Sequence, residues 1–555
     1  MKKIIAILIC FITIILLFTG CGDTKEEDSS NGSSKKQKDL IKFSMFIAEK
    51  TSFRWSSKNP VTDMIAKKTG VMLDVKYDEG IHISEILIML ADGTYPDLVY
   101  AKGVQNKFID AGVFIPLDDL IETYGPNIKK FYGNDLKKLR YSLDNPSIYF
   151  LGSFQKDDQK WDATGGFMLQ LRVVKELGYP RLRTLKDYED AIRKYKQTYP
   201  EINGNPTIGL SLQAYDWLFL ITVTNPALFA TGAPDDGEFY VDPHTYKAIL
   251  HHRRPVEREY FRWLNHMNDE GLLDPESFIQ TSEQFMEKLK TGRVLAIIDQ
   301  EWSLGDTKSE LIKKGMGDRF YGFFPITLSE KYKHTLNFPL GYLSRWGIGI
   351  TDKCADPVAA IRFFDFICSE EGQILTHWGI PGMHYSVDRN GKRYFTEEQQ
   401  LIRTQKDYKT MTGIDLYNYP FPEYGRGVPD STGQPIVPKW KEEIRNEYTS
   451  FEKDVLAAYG VEYWKDMFPH EDEFSVRPYG VAWQIDLPAQ SEAQLIFDKC
   501  SKITRERIIE AILATPENFD TVWDLMQKDL IAAGVKKLEA EFTRLIRERI
   551  QLWEE

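Results

Sequence analysis

The chain has 555 residues, enough for two or more domains with cores of their own, and 42 % of them are hydrophobic, an ordinary globular share. Its formal charge is −12, and binding to phosphate backbones needs basic patches, so nucleic acid is excluded as the expected partner. Five cysteines, at positions 10, 21, 354, 368 and 500, cannot supply a disulfide framework, so the chain must fold on its apolar core.

Lys2 and Lys3 open the chain, and Ile4 to Phe18 is apolar except for Thr13. That run is short for a membrane-spanning helix and has the form of a secretory signal. It ends in Phe18-Thr19-Gly20-Cys21, which resembles a bacterial lipobox with Phe18 where leucine is usual. The resemblance implies a signal over residues 1–20 and a diacylglycerol lipid on Cys21, which becomes the new N-terminus. One acyl chain alone binds a membrane weakly, so a two-chain anchor is what such a protein needs. Thr24 to Lys38 holds no apolar residue, so residues 21–39 are expected to form a flexible tether on the extracellular face of the bacterial membrane.

The mature part opens with an alternating strand over Ile41–Ala48. A helix follows from Pro60 to Gly70, with proline first and glycine last. "VMLDVKY" is a second strand, "ISEILIMLADG" a helix and "PDLVYA" a third strand. This alternation predicts a parallel sheet covered by helices. "SIYFLGSF" carries the chain to a second unit. There "LKDYEDAIRKYKQTYP" is a helix, "TIGLSL" a strand, and 255–269 and 282–290 are helices closed by Gly271 and Gly292. "RVLAIID" is a strand running directly into Gln300, Glu301 and Trp302. "RWGIGIT" is another, followed by a helix over 357–370. The segment after Lys499 is largely helical, with a break at Thr515-Pro516.

The expected fold class is α/β with two lobes, a hinge and an interlobe cleft. The N-terminal lobe takes 40–155 and 345–400, and the C-terminal lobe takes 156–344 and 401–555. Ligands in such folds sit at the carboxyl ends of strands, and the lobes close around them.

Several stretches, in order, carry a resemblance. They are "TYPDLVYA", "GVFIPLDDLIETYGPNI", "EGLLDPESFIQTSEQFMEKLKTGRVLAIIDQEW", "FFDFICSEEGQILTHWGIPGMHYSVDRNGKRYF" and "FDTVWDLMQKDLIAAGVKKLEAEFTRLI". Together they resemble the extracellular solute-binding proteins, family 1, of ABC importers, in the larger oligosaccharide type. The resemblance implies a periplasmic-binding-protein-like fold, no catalysis, an oligosaccharide ligand and delivery to the permease of an ABC transporter by a monomer. A peptide cargo is the alternative, and an exported glycoside hydrolase a remoter one. The chain departs from the family pattern at Gln170 and Arg172. It also lacks aspartate in "TYPEINGNPTIGL", where some members hold calcium, so no metal and no cofactor is expected.

A sugar offers apolar C–H faces to aromatic rings and hydroxyls to polar side chains. Trp302 and Glu301 follow the "RVLAIID" strand, and Asp216 and Trp217 follow "TIGLSL". Tyr342, Arg345 and Trp346 enter a strand, Arg54 and Trp55 follow the first strand, and Trp378 ends a helix. These ten are the candidate ligand-binding residues. No G-x-S-x-G, H-E-x-x-H, P-loop or C-x-x-C motif is present, so no catalytic residue is assigned. "GIGI" at Gly347 lacks the third glycine of a dinucleotide fingerprint. His251-His252-Arg253-Arg254 reads as a solvated helix end.

Overall fold

Two β-sheets organise the chain. The computed structural model describes residues 40–49, 55–78, 83–154, 163–341, 344–488 and 490–554. The expected signal, the tether and Cys21 lie outside them. The first sheet has the order Val71–Tyr77, Ile41–Ile47, Leu98–Tyr100, Ser344–Ile350, Phe150–Phe154. Its first three strands are parallel, as the βαβαβ pattern predicts. Ser344–Ile350 runs antiparallel to both of its neighbours. In Ile41–Ile47 the last three residues are all buried, because apolar layers cover both faces of the sheet there. The helix Pro60–Thr69 is bounded by local chemistry. Asn59 accepts a hydrogen bond from the Thr62 amide at 2.8 Å, and Gly70 takes a left-handed φ of 74°.

The second sheet has the order Tyr321–Phe324, Gly165–Gln170, Val294–Gln300, Ile208–Ser211. Val294–Gln300 is antiparallel to Gly165–Gln170 and parallel to Ile208–Ser211. A core of its own surrounds this sheet. The chain thus has the α/β character expected, with two sheets that each have a core of their own. The C-terminal helix Val535–Glu554 links the two cores: Val535, Leu538, Phe542 and Ile546 lie in the second core, while Leu552 and Trp553 lie in the first.

Two expectations need correction. Ile414, Leu416, Tyr417 and Phe421, assigned with 401–555 to the C-terminal lobe, pack in the core of the first sheet. The Asp415 amide there donates to the Thr376 carbonyl at 2.9 Å, which ties this segment to the helix Glu370–Trp378. His251 and His252 are buried rather than solvated. His251 bonds Glu257, His252 bonds Thr504 at 2.8 Å, and burial holds His252 well below the usual histidine range. Gln170 and Arg172, where the chain departs from the family pattern, make structural contacts. Gln170 donates to the carbonyls of Gly292 and Val294, and Arg172 pairs with Glu176 and Asp318.

The glycines of "GIGI" are places of close approach. A Cβ on Gly347 would lie 2.5 Å from the Leu151 carbonyl carbon, and one on Gly349 would lie 2.6 Å from the Phe114 ring. Gly349→Val is expected to cost about 1–3 kcal/mol through overpacking, read as a lower urea midpoint. An unchanged midpoint would show that Phe114 yields freely.

Candidate functional site

Each lobe presents the carboxyl ends of two adjacent parallel strands. In the first sheet Ile47 lies opposite Tyr100, and the chain continues past them to Glu49 and Lys102. In the second, Ile297 lies opposite Ser211, and the chain continues to Trp302 and Trp217. The two indoles stack with centroids 5.8 Å apart and planes 19° from parallel. They remain exposed at 45 % for Trp217 and 57 % for Trp302, so a broad aromatic surface faces out of the second lobe. The Lys102 ammonium, from the first lobe, stands 5.7 Å from the Trp217 ring centroid and 2.8 Å from a Glu49 carboxylate oxygen. The strand ends of the two lobes thus meet at this point.

Buried bonds hold the aromatic pair in place. Asp299, near the end of Val294–Gln300, is buried and accepts from Gln213 Nε2 at 3.0 Å and from the Gln300 amide at 2.7 Å. The loops bearing Trp217 and Trp302 are therefore tied beneath the rings. Arg505, on the helix Glu492–Leu513, donates to the carbonyls of Asp216 and Ala214 and lies 4.9 Å from the Phe219 ring centroid. Asp216 sits at a φ of 50°, a left-handed conformation that the Arg505 bonds help to keep. Glu301 is anchored through its amide, which donates to the Thr164 carbonyl at 2.8 Å. Two exposed indoles bordered by carboxylates and an ammonium suit a ligand with an apolar face and a hydroxylated edge.

The structure brings together Trp217, Asp216, Glu301 and Trp302. It places Trp346 elsewhere, half-buried against Trp483 with ring centroids 5.5 Å apart. Trp55 packs on Tyr417 and Phe421 at the first core. Among the described residues the buried indole nitrogens of Trp55 and Trp346 have no hydrogen-bond partner. Arg54 and Tyr342 lie outside the described residues, and of Arg345 only the backbone is described, opposite Ser153. Trp378 is corrected to a packing residue. It is 5 % exposed, stacks on Phe395 at 4.9 Å and donates its N–H to the Pro435 carbonyl. Glu49, Lys102 and Arg505 were missed. The strand-end rule that singled out Trp302 applies equally to Glu49 and Lys102. Nothing local marks Arg505, which acts from a distant helix. The hairpin Glu201–Pro206 turns through Asn203 and Gly204, both at positive φ. Among the described residues no group of three or more His, Cys, Asp or Glu is placed to hold a metal ion.

Residues 61–387 match the family model of the bacterial extracellular solute-binding proteins. The chain belongs to this family. It is 22 % identical over 421 residues to lipoprotein LipO of Bacillus subtilis, covering 70 % of this chain and 76 % of that one. It is 22 % identical over 285 residues to the fructooligosaccharide ABC transporter substrate-binding protein FusA of Streptococcus pneumoniae, covering 46 % and 48 %. Among solved structures, the alginate-binding protein AlgQ2 without calcium ion superposes with a TM-score of 0.64 at 18 % identity, over 92 % of this chain and 98 % of that one. An HMO-binding, ABC-transporter-associated solute-binding protein of Bifidobacterium longum infantis gives 0.67 at 15 % identity, over 91 % and 98 %. The solute-binding fold is shared with both.

Burial pushes Asp299 from 3.8 up to about 6. The folded state thus keeps a proton that the unfolded chain loses near the ordinary value. Stability from this group is therefore fully present below about pH 4 and falls as pH rises toward 6. Asp299→Asn, with Gln213 turned to offer its Oε1, which has no partner among the described residues, keeps the tie between strands. The variant is expected to lose up to about one proton of pH dependence between pH 4 and 6, measured by urea unfolding across that range. An unaltered slope would contradict a buried, titrating Asp299.

Proposed function

We propose that this solute-binding protein captures an oligosaccharide between its lobes, does no chemistry on it, and delivers it to the permease of an ABC transporter. The stacked, exposed pair Trp217 and Trp302 carries the reading, because indoles left bare at strand ends offer the flat apolar surface that a pyranose or furanose ring covers. The printed cargoes of FusA and of the HMO-binding neighbour lend support to a sugar of more than one ring. Asp216 and Glu301 are the hydroxyl-binding groups on the same loops. Trp55, Trp346, Arg54, Tyr342 and Arg345 stay as candidates for contacts further along the cleft.

The protein is proposed to act as a monomer, lipid-anchored through Cys21 on the outer face of the cell membrane, with residues 1–20 removed and residues 21–39 as its tether. The lobes are proposed to take 40–155 with 345–436, and 156–344 with the segment from about 440 onward.

The test is thermal unfolding of residues 40–555, which group as a unit by themselves, against neutral, uronic and peptide ligands. A ligand that binds only the folded state raises the midpoint with concentration. One oligosaccharide class is expected to do so, and Trp302→Ala or Trp217→Ala is expected to weaken it about 10–100-fold, as for a buried aromatic anchor. A shift with peptides alone would replace the sugar by a peptide, and consumption of the sugar would make the protein an enzyme. Separately, Cys21→Ala in the intact gene is expected to move the protein from the membrane fraction to the medium or to block its processing. Unchanged membrane retention would contradict the lipid anchor.

A further inference from the structure

The stretch Val481–Leu487 belongs to the second lobe, where Ala482, Ile485 and Leu487 pack in the core. It meets the first lobe at three points. Trp483 meets Trp346, with ring centroids 5.5 Å apart. Asn106 Nδ2 donates to the Leu487 carbonyl at 3.0 Å, and Gln105 Nε2 donates to Asp486 Oδ2 at 2.5 Å. Gln105 and Asn106 open the helix Gln105–Asp110, shortly after Lys102, which faces Trp217.

Asp486 is half-buried. Burial is the largest influence on its carboxyl and, with the Asp110 carboxylate nearby, outweighs the pull of Arg549 and of the Gln105 N–H, so the carboxyl rises from 3.8 to about 7. Arg549 comes from the helix Val535–Glu554 and donates to the Gln484 carbonyl of the same stretch. Tyr141 donates to Asp110 at 3.3 Å, and burial together with Asp110 and Asp486 holds its hydroxyl above the usual range, so it stays protonated. Gln105 carries an independent sign of a missing proton. Its Nε2 is used, but its Oε1 is shielded from water and has no partner among the described residues. A carboxylate cannot donate to that oxygen, whereas a protonated carboxyl can.

We propose that Asp486 and Gln105 form a proton-operated latch between the lobes. With a proton on Asp486, acid and amide exchange two hydrogen bonds, N–H to carboxyl and O–H to amide oxygen, and the lobes are held as in this structure. When the proton passes to water the second bond is lost, Gln105 Oε1 is left unpaired, and a charge stays half-buried near Asp110. Parting the lobes returns that charge to solvent. The joined form therefore keeps a proton that the parted form releases in the ordinary carboxylate range. The latch is at full strength below about pH 4 and weakens as pH rises through about 7.

The experiment is fluorine NMR of the full chain labelled with 5-fluorotryptophan, without ligand, between pH 6 and pH 8.5. Trp346 and Trp483 report the contact between lobes, Trp217 reports the approach of Lys102, and Trp464, buried in the second core, is the reference. In the native protein the ratio of joined to parted form is expected to fall about tenfold over this range, read as a joint shift of the first three resonances with Trp464 unmoved. Asp486→Asn keeps a neutral side chain that both donates and accepts, and is expected to hold all three at their low-pH positions throughout. Gln105→Leu removes the partner and is expected to hold them at their high-pH positions. Movement of Trp483 alone would show a carboxyl that titrates without parting the lobes, and would overturn the latch. So would a native protein whose resonances ignore pH, or native pH dependence in a folded Asp486→Asn. Should Asp486→Asn unfold, native pH dependence in Gln105→Leu contradicts the latch equally.

Discussion

The hydrogen bond from Gln213 to Asp299 is the constraint on which the candidate site depends. It joins the ends of two parallel strands at the point where each turns into a loop bearing an exposed tryptophan. The backbone pairing of these strands ends at Ile297 and Ser211, so this bond ties the two loops to each other beyond it. Asp299 could not stay buried as a charge without those donors, and burial still drives it toward its protonated form. Arg505 adds a second tie by holding the Asp216 turn from the C-terminal helices. A flat aromatic pair is useful to a ligand only if it is already assembled before binding, because ordering two loops afterwards would subtract from affinity.

Contacts between the lobes are of a different kind. Trp346 meets Trp483, Gln105 donates to Asp486, and Asn106 Nδ2 donates to the Leu487 carbonyl. These polar and aromatic contacts differ in kind from the apolar cores behind each sheet. Arg549, on the helix that enters both cores, donates to the Gln484 carbonyl at 2.6 Å and so steadies the segment that bears Trp483 and Asp486. Such an arrangement suits lobes that shift relative to one another around a ligand.

Much of this was legible in the residues. The parallel pairing of the first three strands follows from their βαβαβ pattern. The rule that ligands meet strand ends singles out Trp217, Asp216, Glu301 and Trp302 from the sequence. What escaped was decided by tertiary neighbours. Trp378 looks no different from Trp302 along the chain, but Phe395 covers its ring and Pro435 takes its N–H. His251 and His252 are polar in sequence and buried in the fold because Glu257 and Thr504 satisfy them. Residues 414–421 carry ordinary apolar side chains, and only the docking of Asp415 beside Thr376 shows which core they join. Glu49 and Lys102 stand at equivalent strand ends, but along the chain nothing sets them apart from other surface charges.

The most direct measurement is fluorine NMR of protein labelled with 5-fluorotryptophan, assigned by single replacements among its 12 tryptophans and titrated with the bound oligosaccharide. The resonances of Trp217 and Trp302 should shift together at the ligand's binding concentration, while those of Trp378 and Trp464 stay still. Movement of other tryptophans with Trp217 and Trp302 unchanged would place the ligand elsewhere and contradict a site built on the paired strand ends.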